Sequence, residues 1–158
     1  MNLNYSMTPR LVFDIGVVAL DAHYDAFSTV DPNNPLDDPD RSGDPLPDSP
    51  NLALNLGLSY HWLHDQGVKT GVSANYRYRS RVYFSPYHDE AVMQEGHGVL
   101  DIGMDIRGHK ERWSLSLFVN NLTDELYARS IVRLDPVVGT TRFWGEPRHL
   151  GTSLEYRF

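Results

Sequence analysis

Three stretches of this chain carry residue types whose spacing could do chemistry. Asp38-x-Asp40-x-Ser42-Gly43-Asp44 sets oxygen donors at the first, third and fifth positions of a calcium loop, with glycine at the sixth. Against that, Pro39 and Pro45 stiffen the segment, Leu46 stands at the ninth position, and Ser49 replaces the bidentate glutamate at the twelfth. A solvated acidic loop is therefore the stronger reading. His88, Asp89 and Glu90, with Glu95 and His97, supply imidazoles and carboxylates suited to a metal or metal chelate. Sequence neighbours on one loop rarely converge, so no dedicated metal site is expected. Arg77, Arg79 and Arg81 share one strand face. Pairing with Asp or Glu of other strands is their expected role, and contact with an anionic substrate is the functional alternative. Ser, His and Asp are all present, yet there is no Gly-x-Ser-x-Gly elbow, so no catalytic residue, enzyme activity or cofactor is expected. Asn121-Leu122-Thr123 matches a glycosylation acceptor, a match given no weight.

The totals narrow the class. A formal charge of -7 over 158 residues, without a basic stripe, argues against nucleic acid as a partner. The absence of cysteine rules out disulfides and thiolate metal sites. The opening residues show no basic segment followed by an apolar one, so no export signal is expected in them. No apolar run approaches the ~18 residues of a membrane helix. Strands escape that test, because a barrel strand alternates and never looks hydrophobic overall.

The elements that would position these residues are strands. Leu52, Leu54, Leu56, Leu58, Tyr60 and Trp62 alternate with Ala53, Asn55, Gly57, Ser59 and His61, a half-buried strand pattern. The same period predicts strands over residues 1–7, 11–27, 68–84, 100–107, 113–119 and 150–158. Turns follow at Thr8-Pro9, His64-Asp65-Gln66-Gly67 and Gly108-His109-Lys110. Between Ser28 and Ser49, six Asp and five Pro preclude a ladder and predict a loop that, opposed only by Arg41, carries most of the negative charge. Residues 85–95 and 121–145 are the other long connections, the latter with a short extended piece near Ile131 to Leu134. Seven strands thus alternate short and long connections, with every short turn on one side.

That asymmetry is the habit of outer-membrane barrels. Trp62, Tyr60, Trp113, Tyr156 and Phe158 lie on the apolar row near the short turns, while Tyr76 and Tyr78 approach the other end, the placement of interfacial aromatic girdles. The opposite row, with Gly16, Gly57, Gly71, Gly103 and Gly151 among Ser, Asn, Asp and Arg, suits a wet or plugged lumen.

The chain ends in Gly-Glu-Pro-Arg (145–148) and a strand alternating Leu150, Thr152, Leu154, Tyr156, Phe158, after Asn120-Asn121-Leu122-Thr123-Asp124-Glu125-Leu126-Tyr127. Together with the entry LPDSPNLALNLGLSY, this resembles the C-terminal part of TonB-dependent outer-membrane receptors of the siderophore type. The resemblance implies an all-β, antiparallel up-and-down meander of about seven strands, a sector of a 22-stranded transmembrane barrel. It implies that Tyr156 and Phe158 form the outer-membrane insertion signal read by the barrel-insertion machinery. Arg77, Arg79, Arg81, His88, Asp89 and Glu90 become candidate ligand or lumen contacts. Full members carry a plug inside the barrel and a box pulled by the energy-coupling protein TonB, and they import ferric siderophores or similar scarce ligands. Residues 1–158 are expected to be the C-terminal part of such a barrel, without plug or earlier strands, surrounded by outer-membrane lipid and incapable of transport alone. The competing reading is a small self-closed barrel or a soluble β-sheet binding module.

Overall fold

The computed structural model describes residues 1–64, 67–108, 110, 112–135 and 139–158, with residues 2, 4 and 7 described in backbone alone. Asp65, Gln66 and His109 of the expected short turns, and positions 136–138 of the third connection, lie outside the described residues.

In chain order the strands are β1 (Asn2–Thr8), β2 (Leu11–Ala19), β3 (Leu52–Leu63), β4 (Lys69–Arg79), β5 (Val82–Tyr83), β6 (Met93–Gln94), β7 (His97–Arg107), β8 (Trp113–Asn120), β9 (Ala128–Leu134), β10 (Gly139–Trp144) and β11 (His149–Tyr156). One seven-stranded sheet runs β1-β2-β3-β4-β7-β8-β11, each strand antiparallel to the next. It is an up-and-down meander, open at β1 and β11. The 12 residues of β3 and 11 of β4 and β7 match the ~9–11 that a tilted strand needs to cross a bilayer.

Register sorts the side chains as period two dictates. Ile15, Leu56, Tyr76 and Leu100 fall in one cross-strand line, and Met104, Leu117 and Thr152 in another. Asp14, Gly57, Asn75 and Asp101 line up on the reverse face. Phe118 is an aromatic exception there, and it fits because its cross-strand neighbours are Gly103 and Gly151. A Cβ on Gly151 would collide with the Phe118 ring.

The apolar row is not covered. Leu56 is 41% exposed, Leu117 42% and Leu154 73%. A continuous greasy face of this extent is foreign to a water-soluble monomer and natural against hydrocarbon. Among the described residues the buried apolar side chains, Val82, Val92, Ala128 and Ile131, belong instead to the long connections, with Val99 at the outward end of β7.

Three expectations are corrected in detail. β2 stops at Ala19 rather than Phe27, because the chain opposite contains Pro45, Pro47 and Pro50, which have no N–H to continue a ladder. The 20–51 segment still folds back as an irregular hairpin, through the single bridges His23–Pro45 and Ser28–Asp40 and hydrogen bonds such as Arg41 N to Phe27 O at 2.8 Å. β4 ends at Arg79, and β5 resumes after a break at Ser80-Arg81, leaving the main sheet to pair with β6. In the third connection the short extended piece is a whole hairpin, β9 paired with β10. Its adjacent Ile131 and Val132 hide the period-two signal.

Candidate functional site

All three long connections leave the same end of the sheet, and they pack on one another as a crown. The first, residues 20–51, is organised around Arg41, whose guanidinium is almost wholly buried. It donates to Asp37 Oδ2 at 2.8 Å, lies 3.9 Å from Asp44, and sits 5.8 Å from the Tyr87 ring centroid in the second connection. Bonds from Arg41 and then from the Asp38 backbone hold the Asp37 carboxyl below its usual range. Asp31, also buried, accepts from Asn33 N at 2.8 Å, so a loop rich in acids is compact despite its charge.

The calcium-like run is spent on these local turns. Asp38 Oδ1 accepts from Asp40 N at 2.9 Å, and Asp40 Oδ1 accepts from Ser42 N at 2.9 Å and its hydroxyl at 2.6 Å. Those bonds also lower the Asp40 carboxyl, Ser42 being the cause. Among the described residues no group of three or more His, Asp or Glu could hold a metal ion.

The connections are stitched across long sequence distances. Asp135 N donates to Asn33 Oδ1 at 3.1 Å, joining third to first. Arg133 lies 2.5 Å from Asp135 and 2.7 Å from Asp89, joining third to second, and the two carboxylates push its guanidinium still further toward the charged form. Gln94 Oε1 accepts from Ala128 N at 2.7 Å, and Asp48 N donates to Tyr83 O at 2.8 Å. Beneath them Val92, Ala128 and Ile131 form a small core with Phe84 against it. A recess of about 230 Å³ opens where the connections meet, lined by Pro32, Asn33, Tyr87, Asp89, Ile131 and Arg133 among others. It combines apolar walls with a few polar groups and is smaller than the ~300 Å³ at which ligand pockets usually begin.

The candidate residues do not converge. Arg77 pairs with Asp101 on β7 at 2.6 Å, Arg79 with Asp48 at 2.7 Å, and Arg81 with both carboxylate oxygens of Glu95 at 3.0 Å. Of the three, Arg77 alone meets an acid of another strand, as expected; Asp48 and Glu95 belong to the first and second connections, and Arg81 lies beyond the end of β4 rather than on its face. His88, with a left-handed φ of 52°, sits edge-on to the Tyr83 ring, 3.7 Å from Asp44. Asp89 caps the 3₁₀ turn Glu90–Val92 and pairs with Arg133. Glu90 is exposed, and His97 stacks on Tyr127 at 4.5 Å, apart from His88.

Sequence reasoning missed the part played by Asn121. Its side chain, 2% exposed, accepts from Glu125 N at 2.8 Å and donates to Glu125 O at 2.9 Å and Glu146 O at 3.0 Å. Its own N–H donates to Asp101 Oδ1 at 2.8 Å. Asp124 meanwhile accepts from Arg148 N at 2.9 Å. The 120–127 and 145–148 motifs are therefore two halves of one clasp that holds the base of the β9–β10 hairpin against β7. A glycosylation acceptor this buried is not available for modification. The signal that could have found it was the co-occurrence of the two motifs.

At the opposite end Tyr60 and Trp62 lie 5.5 Å apart, Trp113 is opposite Tyr156, and Tyr156 is 5.2 Å from the exposed Phe158. The aromatics expected near the short turns are at that end.

A family model described as TonB dependent receptor-like, beta-barrel matches residues 1–122. The crystal structure of the ferric yersiniabactin uptake receptor FyuA from Yersinia pestis is similar, with a TM-score of 0.76 at 16% sequence identity. The match covers 99% of this chain and 22% of that one, so the chain spans about a fifth of the length of that receptor. No curated protein matches.

Proposed function

Because the chain belongs to the TonB-dependent receptor-like β-barrel family, we propose that it forms part of the wall and outward loops of an outer-membrane uptake receptor for a ferric siderophore or a similarly scarce ligand. Barrels of this family lie in Gram-negative outer membranes, and family and fold are those of receptors rather than enzymes. The observation that carries the reading is the division of the sheet: an uncovered apolar row, every short turn at one end, and interlocked long connections at the other. The ligand class is carried over from the uptake receptor that the chain resembles in fold.

On this reading β1 and β11 are completed by neighbouring strands, since each unsatisfied backbone group facing lipid costs several kcal/mol. Seven strands alone neither close nor conduct. A self-closed small barrel is disfavoured, because β1 and β11 stand at opposite edges. The plug fills the lumen and transmits the pull of TonB, while Tyr156 and Phe158 address the insertion machinery. Arg77, Arg79 and Arg81 brace the lumen wall, and His88, Asp89 and Glu90 belong to the capture surface.

In the complete receptor, replacing residues 28–48 by a short Gly-Ser link should weaken ferric-siderophore binding at least ~10-fold, about 1.4 kcal/mol, with insertion, read by heat-modifiable electrophoretic migration, unchanged. Unchanged affinity in an inserted receptor would remove the reading.

A further inference from the structure

The polar face of the sheet carries a feature at its short-turn end that ligand capture at the other end does not use. Arg157 N donates to Arg112 O at 2.7 Å, extending the β8–β11 ladder by one pair beyond Trp113–Tyr156. By the period of both strands, this sets Arg112 and Arg157 directly opposite each other on the polar row. Like charges in that relation repel and destabilise a strand pair. One pair further along, Arg107 stands opposite Ser114, which stands opposite Glu155, and the next line holds Asp105, Ser116 and Ser153. The carboxylates are already engaged: Glu155 lies 2.9 Å from Arg157, and Asp105 3.7 Å from Arg107. Arg112, which is exposed, has no side-chain partner among the described residues.

Around these groups lies a recess of about 330 Å³, lined by the three arginines, Ser114, Ser116 and the two acids. Guanidinium donors are matched in geometry to carboxylate and phosphate oxygens, and flanking hydroxyls can donate to further oxygens of the same group. We propose that Arg107, Arg112 and Arg157, with the hydroxyls of Ser114 and Ser116, form a binding site for a multiply charged oxyanion of the polycarboxylate class. The anion relieves the Arg112–Arg157 repulsion and supplies acceptors to the Arg112 guanidinium. Its carboxylates come either from a polypeptide segment seated inside the cylinder or from a free polycarboxylate.

The test uses the complete receptor with Ser116→Cys, set in a stretch of 158 residues that has no cysteine of its own, and with any cysteine elsewhere in the receptor replaced by serine. A negatively charged and a positively charged methanethiosulfonate reagent are compared, with citrate as the added anion. If the carboxylates are free in solution, the anionic reagent reacts ~10-fold faster than the cationic one, as expected of electrostatic focusing. Citrate slows it, and Arg107→Gln, Arg112→Gln and Arg157→Gln together abolish both effects. If they belong to a seated segment, the thiol is protected from both reagents and becomes reactive in the triple variant. Equal rates, a preference for the cationic reagent, or protection that survives the triple variant would each overturn the proposal. Heat-modifiable migration reports whether each variant is folded.

Discussion

Wall and crown are held by different physics. In the seven-stranded wall each residue's neighbour follows from strand register, the backbone bonds run from strand to strand, and the apolar side chains meet their lateral neighbours with no layer of protein over them among the described residues. In the crown there is little regular ladder. Order comes from a small buried cluster at Val92, Ala128 and Ile131, and from polar side chains such as Arg133 and Asn33 that bridge separate connections. On the proposed reading the wall depends on hydrocarbon outside it and the crown on contacts within itself, so the two should fail under different insults.

The most disruptive challenge to that contrast is a charge on the greasy row. Leu56→Arg should cost about 2–4 kcal/mol near the bilayer midplane and sharply reduce the heat-modifiable, membrane-inserted receptor. Asn75→Arg, on the polar row of the adjacent strand, should insert normally. Equal tolerance of both would place the apolar row somewhere other than lipid.

A smaller effect is expected at the clasp. Asn121→Ala removes the side-chain bonds to the Glu125 N–H and C=O and to the Glu146 C=O; because Glu146 is exposed and Glu125 only half-buried, water takes up part of the loss, which should come to about 1–3 kcal/mol in all. Limited proteolysis should then cut within residues 122–146 while the wall still inserts. Loss of insertion instead would show that the clasp belongs to the wall.

The mildest test is acid. Asp37 and Asp40 have carboxyls lowered below their ordinary value of 3.8, so the ion pair and turns they make contribute fully above that value. The contribution is lost as pH falls from about 3.8 through the lower folded values. Protease resistance of the 20–51 segment should therefore hold from pH 7 to pH 5 and decline only below pH ~4. Asp37→Asn should flatten that decline; a loss centred near pH 6 would show that these two carboxylates are not its cause.

What could be read beforehand divides along the same line. The run from Leu52 to Trp62 announces a strand, its greasy face and its end, because period two is a local property of a few consecutive residues. The β9–β10 hairpin was legible only as a fragment, since Ile131 and Val132 break that period and the pairing depends on partners further along. The acidic run at 38–44 is legible as a loop, but nothing local shows that Arg41 is buried at its centre.

By itself, then, the sequence determined the number of wall strands, which face of each is apolar, and the end that holds the short turns. Those properties are written in alternation and turn residues a few positions apart. Only the tertiary structure decided that Arg133 meets Asp89, that Asn33 meets Asp135 across 102 positions, that Asn121 closes on Glu146, and that Arg112 faces Arg157. Each of those contacts requires two remote segments to be brought to one place by the meander of the sheet, and no window of the chain contains both partners.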